Sequence, residues 1–134
     1  MNAISSYAAI LFSAIASLIF SYLWFNQFFK FAFLKDLGKT PAQLEKAPNL
    51  IVSSAFQLLG NILLAFVLSW LITQLGYSSL TQTLQLAILV WFGFIIAVIG
   101  PLHVIQSSPL RLFLIIAGGS LASILITTVI LTLW

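Results

Sequence analysis

Residues 30–46 read KFAFLKDLGKTPAQLEK and hold Lys30, Lys35, Asp36, Lys39, Glu45 and Lys46, six of the seven charged side chains in a chain of 134 residues. The seventh is Arg111. Everything on either side of that stretch is apolar: the chain is 62% hydrophobic and 5% charged, with a mean hydropathy of +1.19. Soluble domains carry roughly 25% charged residues, so this composition cannot clothe a water-facing surface. It specifies an integral membrane protein.

Four apolar stretches are long enough to cross about 30 Å of hydrocarbon as helices, a distance that takes roughly 20 residues. They cover about residues 4–27, 50–75, 81–100 and 110–134. Their apolar character is continuous rather than alternating, which excludes the strands of a membrane barrel. The N-terminus has no basic segment ahead of its apolar run, and that run exceeds a signal-peptide core, so the first stretch reads as a span. The fold class is an all-α four-transmembrane-helix bundle forming a single membrane domain over 1–134.

Turn residues mark the boundaries. Gly76-Tyr77-Ser78-Ser79 leaves a short link between the second and third spans, which predicts an antiparallel hairpin. Gly100-Pro101 is expected to end the third span, because proline lacks an N–H and disfavours helix in the preceding residue. In QSSPLR, Ser108 is the expected N-cap and Pro109 the first helical residue. Thr40-Pro41-Ala42-Gln43 has the form of a capping box and predicts a short interfacial helix to Lys46 on the cytoplasmic side, between spans 1 and 2.

Four crossings place Lys30, Lys35, Lys39, Lys46 and Arg111 on one face. By the positive-inside rule that face is the cytoplasm of a bacterial inner membrane, with both termini and the Gly76 turn outside. Lys30, Lys35, Lys39 and Arg111 are expected at lipid headgroups, with Phe28, Phe29, Phe31 and Phe33 interleaved near the first two. Membrane lipids are therefore expected partners, and nucleic acid is not, since the net charge of +3 lies between apolar runs. Trp24, Trp70 and Trp134 fall near span ends, as belt aromatics do, while Trp91 lies mid-span and packs.

Small and polar residues recur within the spans at a spacing of four. Ser5, Ala9, Ser13, Ser17 and Ser21 form one series; Ser53, Gln57, Asn61, Ala65 and Ser69 form another. A spacing of four keeps each series on one gently drifting stripe, and small side chains there let helix backbones approach, which matters where no hydrophobic effect drives association. Gly118 with Ala122, Gly119 with Ser123, and Gly93 with Ala97 extend the pattern. Gln57 and Asn61 should face inward, because an amide in lipid leaves its donors and acceptors unpaired. Their partners could be Ser13 or Ser17, or they could line a solute path.

The inventory for chemistry is small. His103 is the lone histidine, no cysteine is present, and Asp36 and Glu45 belong to the lysine-rich stretch. Neither a metal site nor a cofactor is expected. No carboxylate lies within a span, which argues against proton-coupled antiport.

Three segments carry a family resemblance: LWFNQ at the end of the first span, GKTPAQLEK in the loop, and SPLRLFLIIAGGSLASILITTVILTLW at the end of the chain. The chain resembles the small bacterial membrane family listed as domain of unknown function 1761. The resemblance implies a four-helix membrane protein with no assigned activity. In that family's LFLIDAGY pattern the aspartate position is Ile116 here and the tyrosine position is Gly119, so no polar role carries over to those residues. Two functional readings follow: helix-mediated association with copies of itself, or passage of a small solute along Gln57, Asn61 and the first-span serines. A third, a lipid-modifying enzyme, would use His103 and Arg111.

Overall fold

The computed structural model describes residues 3–25, 35 and 50–134. Four helices make up these residues: α1 (Ala3–Leu23), α2 (Leu50–Leu75), α3 (Leu80–Ile105) and α4 (Leu110–Leu133). Helices α2, α3 and α4 are each long and apolar enough to cross a membrane. Helix α1 has 21 residues, a rise of about 31 Å at 1.5 Å per residue. The expected interfacial helix over Thr40–Lys46, together with Lys30 and Lys39, lies outside the described residues.

The order of packing differs from a simple ring of neighbours. Helix α1 runs closely along both α2 and α4, and α4 also packs along the first half of α3. The backbones of α2 and α3 do not run together, so the expected hairpin is antiparallel but splayed. A short turn fixes direction, not contact; contact follows the small-residue faces, and those of α2 and α3 address α1 and α4 instead. Helix α4 is the central element: 44% of its most apolar window is buried, against 17% in α2 and 6% in α3.

Because the outer surface of the bundle is apolar too, its interior is distinguished by small and polar side chains. Ala9, Ala14, Ala65, Ala87, Ser13 and Ser17 are all fully enclosed, while every described phenylalanine is at least partly exposed. The α1 stripe Ala9, Ser13, Ser17, Ser21 is buried along its length. The α2 stripe divides: Asn61 and Ala65 are buried, but Ser53 and Gln57 are exposed, Gln57 at the wall of an interior cavity. That half of α2 is the part lying beside the gap left by α3.

Pro101 does not end the third helix. It sits inside the α-helical segment Ala97–Ile105, which follows a π-helical turn at Trp91–Ile96 where the Ala97 N–H bonds the Phe92 carbonyl. Continuing through Pro101 forfeits one ladder hydrogen bond, the one that its missing N–H would have made. His103 consequently belongs to the last helical turn rather than to a loop.

Two helix ends share one device. After α2, Gly76 takes φ 69°, with Tyr77 N–H bonded to the Ile72 carbonyl and Gly76 N–H to that of Thr73, each 3.2 Å. After α3, Ser107 takes φ 55°, with Ser108 N–H bonded to the His103 carbonyl at 3.0 Å and Ser107 N–H to that of Val104 at 3.1 Å. Both are Schellman closures, which need a left-handed residue and favour glycine. Ser108 is therefore engaged in closing α3 and does not cap α4; the cap position falls to Pro109. Ser79 does cap α3, accepting from Gln82 N–H at 3.3 Å.

Gly76→Ala should lower stability by about 1 kcal/mol and Ser107→Gly should raise it by up to about 1 kcal/mol, since a side chain in the left-handed region is strained and glycine is not. Chemical unfolding of the detergent-solubilised protein, followed by far-UV circular dichroism, measures both shifts.

Candidate functional site: a polar cavity beside the central helix

The interior polar groups concentrate on α4. Ser17 of α1 lies 3.1 Å from Thr127 Oγ1 and can donate to the Ser123 carbonyl at 3.4 Å, while Ser21 Oγ lies 3.3 Å from Ser123 Oγ. Ser13 instead donates to the Ile10 carbonyl of its own helix at 3.0 Å. With Ser13 turned inward on α1 and Ser17 addressed to α4, neither is the partner of Asn61. Asn61 Nδ2 donates to the Ala14 carbonyl at 3.2 Å and Asn61 Oδ1 accepts from Gln57 Nε2 at 3.1 Å. A backbone carbonyl does the work expected of a serine, since its second lone pair stays available inside a helix.

Two indoles hold α4 from opposite neighbours. Trp24 Nε1–H donates to the Ile115 carbonyl and Trp91 Nε1–H to the Ala117 carbonyl, each at 2.9 Å. Trp24 is thus half-buried and committed to α4, not a member of an interfacial belt; Trp70 and Trp134 are exposed, the latter 5.6 Å from the ring of Phe12. Each clamping tryptophan opens a stretch of π-helical backbone: Trp24 and Phe25 beyond α1, and Trp91–Ile96 within α3.

Gly118 and Gly119 receive the Trp24 side of this clamp. A Cβ on Gly118 would stand 3.1 Å from Trp24 Cζ2; one on Gly119 would stand 3.0 Å from both Phe25 Cζ and Trp24 Cδ1. The close approach these glycines permit is therefore of aromatic rings rather than of a helix backbone. Gly60 and Gly93 differ, with nothing within 4 Å of an added Cβ.

Between α2, the π turn of α3, and α4 lies a cavity of about 350 Å³. Gln57, Gly60, Asn61 and Leu64 form its α2 wall and Ile95 its α3 wall; Ile116, Gly119, Ser120, Ser123 and Ile124 form the α4 wall, and Ser21 and Phe25 close it. It occupies the gap where α2 and α3 splay apart. Every described lining residue is uncharged, so the cavity offers carboxamide and hydroxyl groups against apolar walls. Such a lining suits a neutral molecule that both donates and accepts hydrogen bonds.

The remaining candidates are placed as follows. His103 Nδ1 lies 3.1 Å from the Ile99 carbonyl and its ring meets Phe113 edge-on at 5.3 Å, outside the cavity. Lys35 and Arg111 are exposed. Among the described residues no group of three histidine, cysteine or acidic side chains could hold a metal. Ser123 enters the sequence reading only as a small residue paired with Gly119, and Ser120, Thr127, Thr128 and Thr132 escape it, although five hydroxyls along one otherwise apolar helix were the available signal.

Gly119→Ala should cost about 1–3 kcal/mol by overpacking against Trp24 and Phe25, whereas Gly60→Ala, in open space within a helix, should gain up to about 1 kcal/mol. Unfolding midpoints of the two variants in the same detergent, read by tryptophan fluorescence, provide the comparison.

A family model described as Protein of unknown function (DUF1761) matches residues 8–132, and the chain belongs to that family. No curated protein and no solved structure matches it. Ile116 and Gly119 both line the cavity.

Proposed function

We propose that this DUF1761 protein is an integral protein of a bacterial inner membrane that crosses four times, with both termini outside, and provides a passage for a small uncharged solute. The observation carrying this reading is the cavity beside Asn61. Buried polar groups in a membrane helix are costly and mark function when they border space rather than packed atoms. Asn61 is only 4% exposed and already pairs with Ala14 and Gln57, yet its carboxamide also lines the cavity. Hydroxyls and amides can replace the hydration of a neutral solute, while an ion would find no described counter-charge.

Support for the orientation comes from the sequence: four crossings would gather the basic residues Lys30, Lys35, Lys39, Lys46 and Arg111 at one end. Association with further copies is a second reading, favoured by the open space at Gly93 of α3, which does not line the cavity and where an added Cβ meets nothing within 4 Å. The measured mass of the protein–detergent complex distinguishes one copy from several.

In proteoliposomes the protein should raise urea permeability above that of protein-free vesicles in stopped-flow light scattering. Asn61→Leu should return it to the protein-free rate; unchanged flux in that variant would refute the assignment. The chain has no cysteine, so single thiols report sidedness directly. Ser78→Cys should react with an impermeant maleimide in intact spheroplasts, and Gln106→Cys only after permeabilisation.

A further inference from the structure

On the Gly76 side of the cavity the bundle is packed shut around Ala65, Leu68, Ala87, Ile124 and Leu131, and a line of α4 hydroxyls runs through that packing. Ser120 and Ile124 line the cavity, and the same α4 stripe continues at intervals of four residues to Thr128 and Thr132, about 6 Å per step. At the far end Thr132 Oγ1 donates to Thr83 Oγ1 at 2.8 Å, and Thr83 in turn bonds the first-turn carbonyls of α3, Ser79 at 3.3 Å or Leu80 at 3.1 Å. Ser79 adjoins the Gly76 turn, so this stripe links the cavity to the opposite end of the bundle.

Thr128 is the anomaly in the series. Its side chain is 1% exposed, and its Oγ1 is a buried polar atom with no hydrogen-bond partner. A buried hydroxyl without a partner costs free energy, and valine would fill the same volume without that cost. Packing alone therefore favours valine at a position where the chain has threonine. The unused donor and acceptor stand one helical turn beyond the cavity wall at Ile124 and one turn before the Thr132–Thr83 pair.

Resting on the passage reading above, we propose that Thr128 is the transfer point of the solute route: a molecule leaving the Asn61 cavity hydrogen-bonds the Thr128 hydroxyl before the Thr132–Thr83 pair parts to release it toward the Gly76 turn. The route takes neutral hydrogen-bonding solutes of urea or glycerol type, which exchange partners with one hydroxyl at a time. In the closed conformation described here, Thr83 and Thr128 are sealed from solvent and the cavity is the loaded end of the route.

The test uses the full-length protein in proteoliposomes with urea and glycerol as probes. Thr128→Val should raise the thermal unfolding midpoint and lower protein-dependent flux of both probes about tenfold, the worth of one hydrogen bond, while Thr128→Ser retains wild-type flux within about twofold. Wild-type flux through Thr128→Val overturns the transfer point and leaves the cavity reading standing. A lowered unfolding midpoint in Thr128→Val also overturns it, since the hydroxyl would then be a structural tie. Wild-type protein no more permeable than bare vesicles overturns the passage reading itself, and this inference with it.

Discussion

A polar group surrounded by hydrocarbon must find its partner within the protein, and in this chain that requirement is met on one helix. α4 accepts an indole from Trp24 on Ile115 and another from Trp91 on Ala117, and it meets hydroxyls of α1 and α3 through Ser123, Thr127 and Thr132. Each such bond is worth about 0.6–2 kcal/mol in a membrane bundle. In the membrane setting proposed above, burial of leucine against leucine gains little, so these bonds and the close fit of small residues decide which helices are neighbours. That explains why α2 and α3, joined by a short turn, part company: Asn61 of α2 finds its partner on α1, and Trp91 and Thr83 of α3 find theirs on α4.

The cavity follows from the same arrangement. Drawing α1 and α3 onto opposite sides of α4 and leaving α2 attached mainly to α1 opens a wedge between α2 and the π turn. The glycine pair at 118 and 119 accepts the rings that brace one end of it, and Asn61 braces the other through Ala14. Space beside Asn61 is therefore a product of how the helices are tied, and its lining is uncharged because the charged residues sit almost entirely within residues 30–46.

Much of the architecture was legible because length and apolarity are properties of single segments. The starts of α2 and α4, the Gly76 closure and the buried serine stripe of α1 can each be read from a local pattern. What could not be read depends on pairs of segments. Nothing local to Trp24 says that its indole will turn inward to a carbonyl ninety residues away, and at a span end the belt reading is the natural one. Pro101 misled for a different reason: a proline costs a helix one N–H and strains the preceding turn, but that local cost does not stop α3, which runs through it to the closure at Ser107. Gln57 shows the limit of stripe arguments, since a spacing of four holds a face constant while the neighbour along that face changes from α1 to open space.

The π turn at Trp91–Ile96 amounts to one residue more than a regular helix needs. A homologous chain one residue shorter between Val90 and Ala97 would close that turn as regular helix and leave Val98, Leu102 and Ile105 on nearly the azimuth they have now, because the wide turn absorbs its extra residue locally. The same deletion in the regular stretch after Ala97 would instead rotate everything beyond it by about 100°. Single-residue insertions and deletions at the π turn thus leave the rest of α3 in place, and they offer evolution a way to reshape the wall at Ile95 alone.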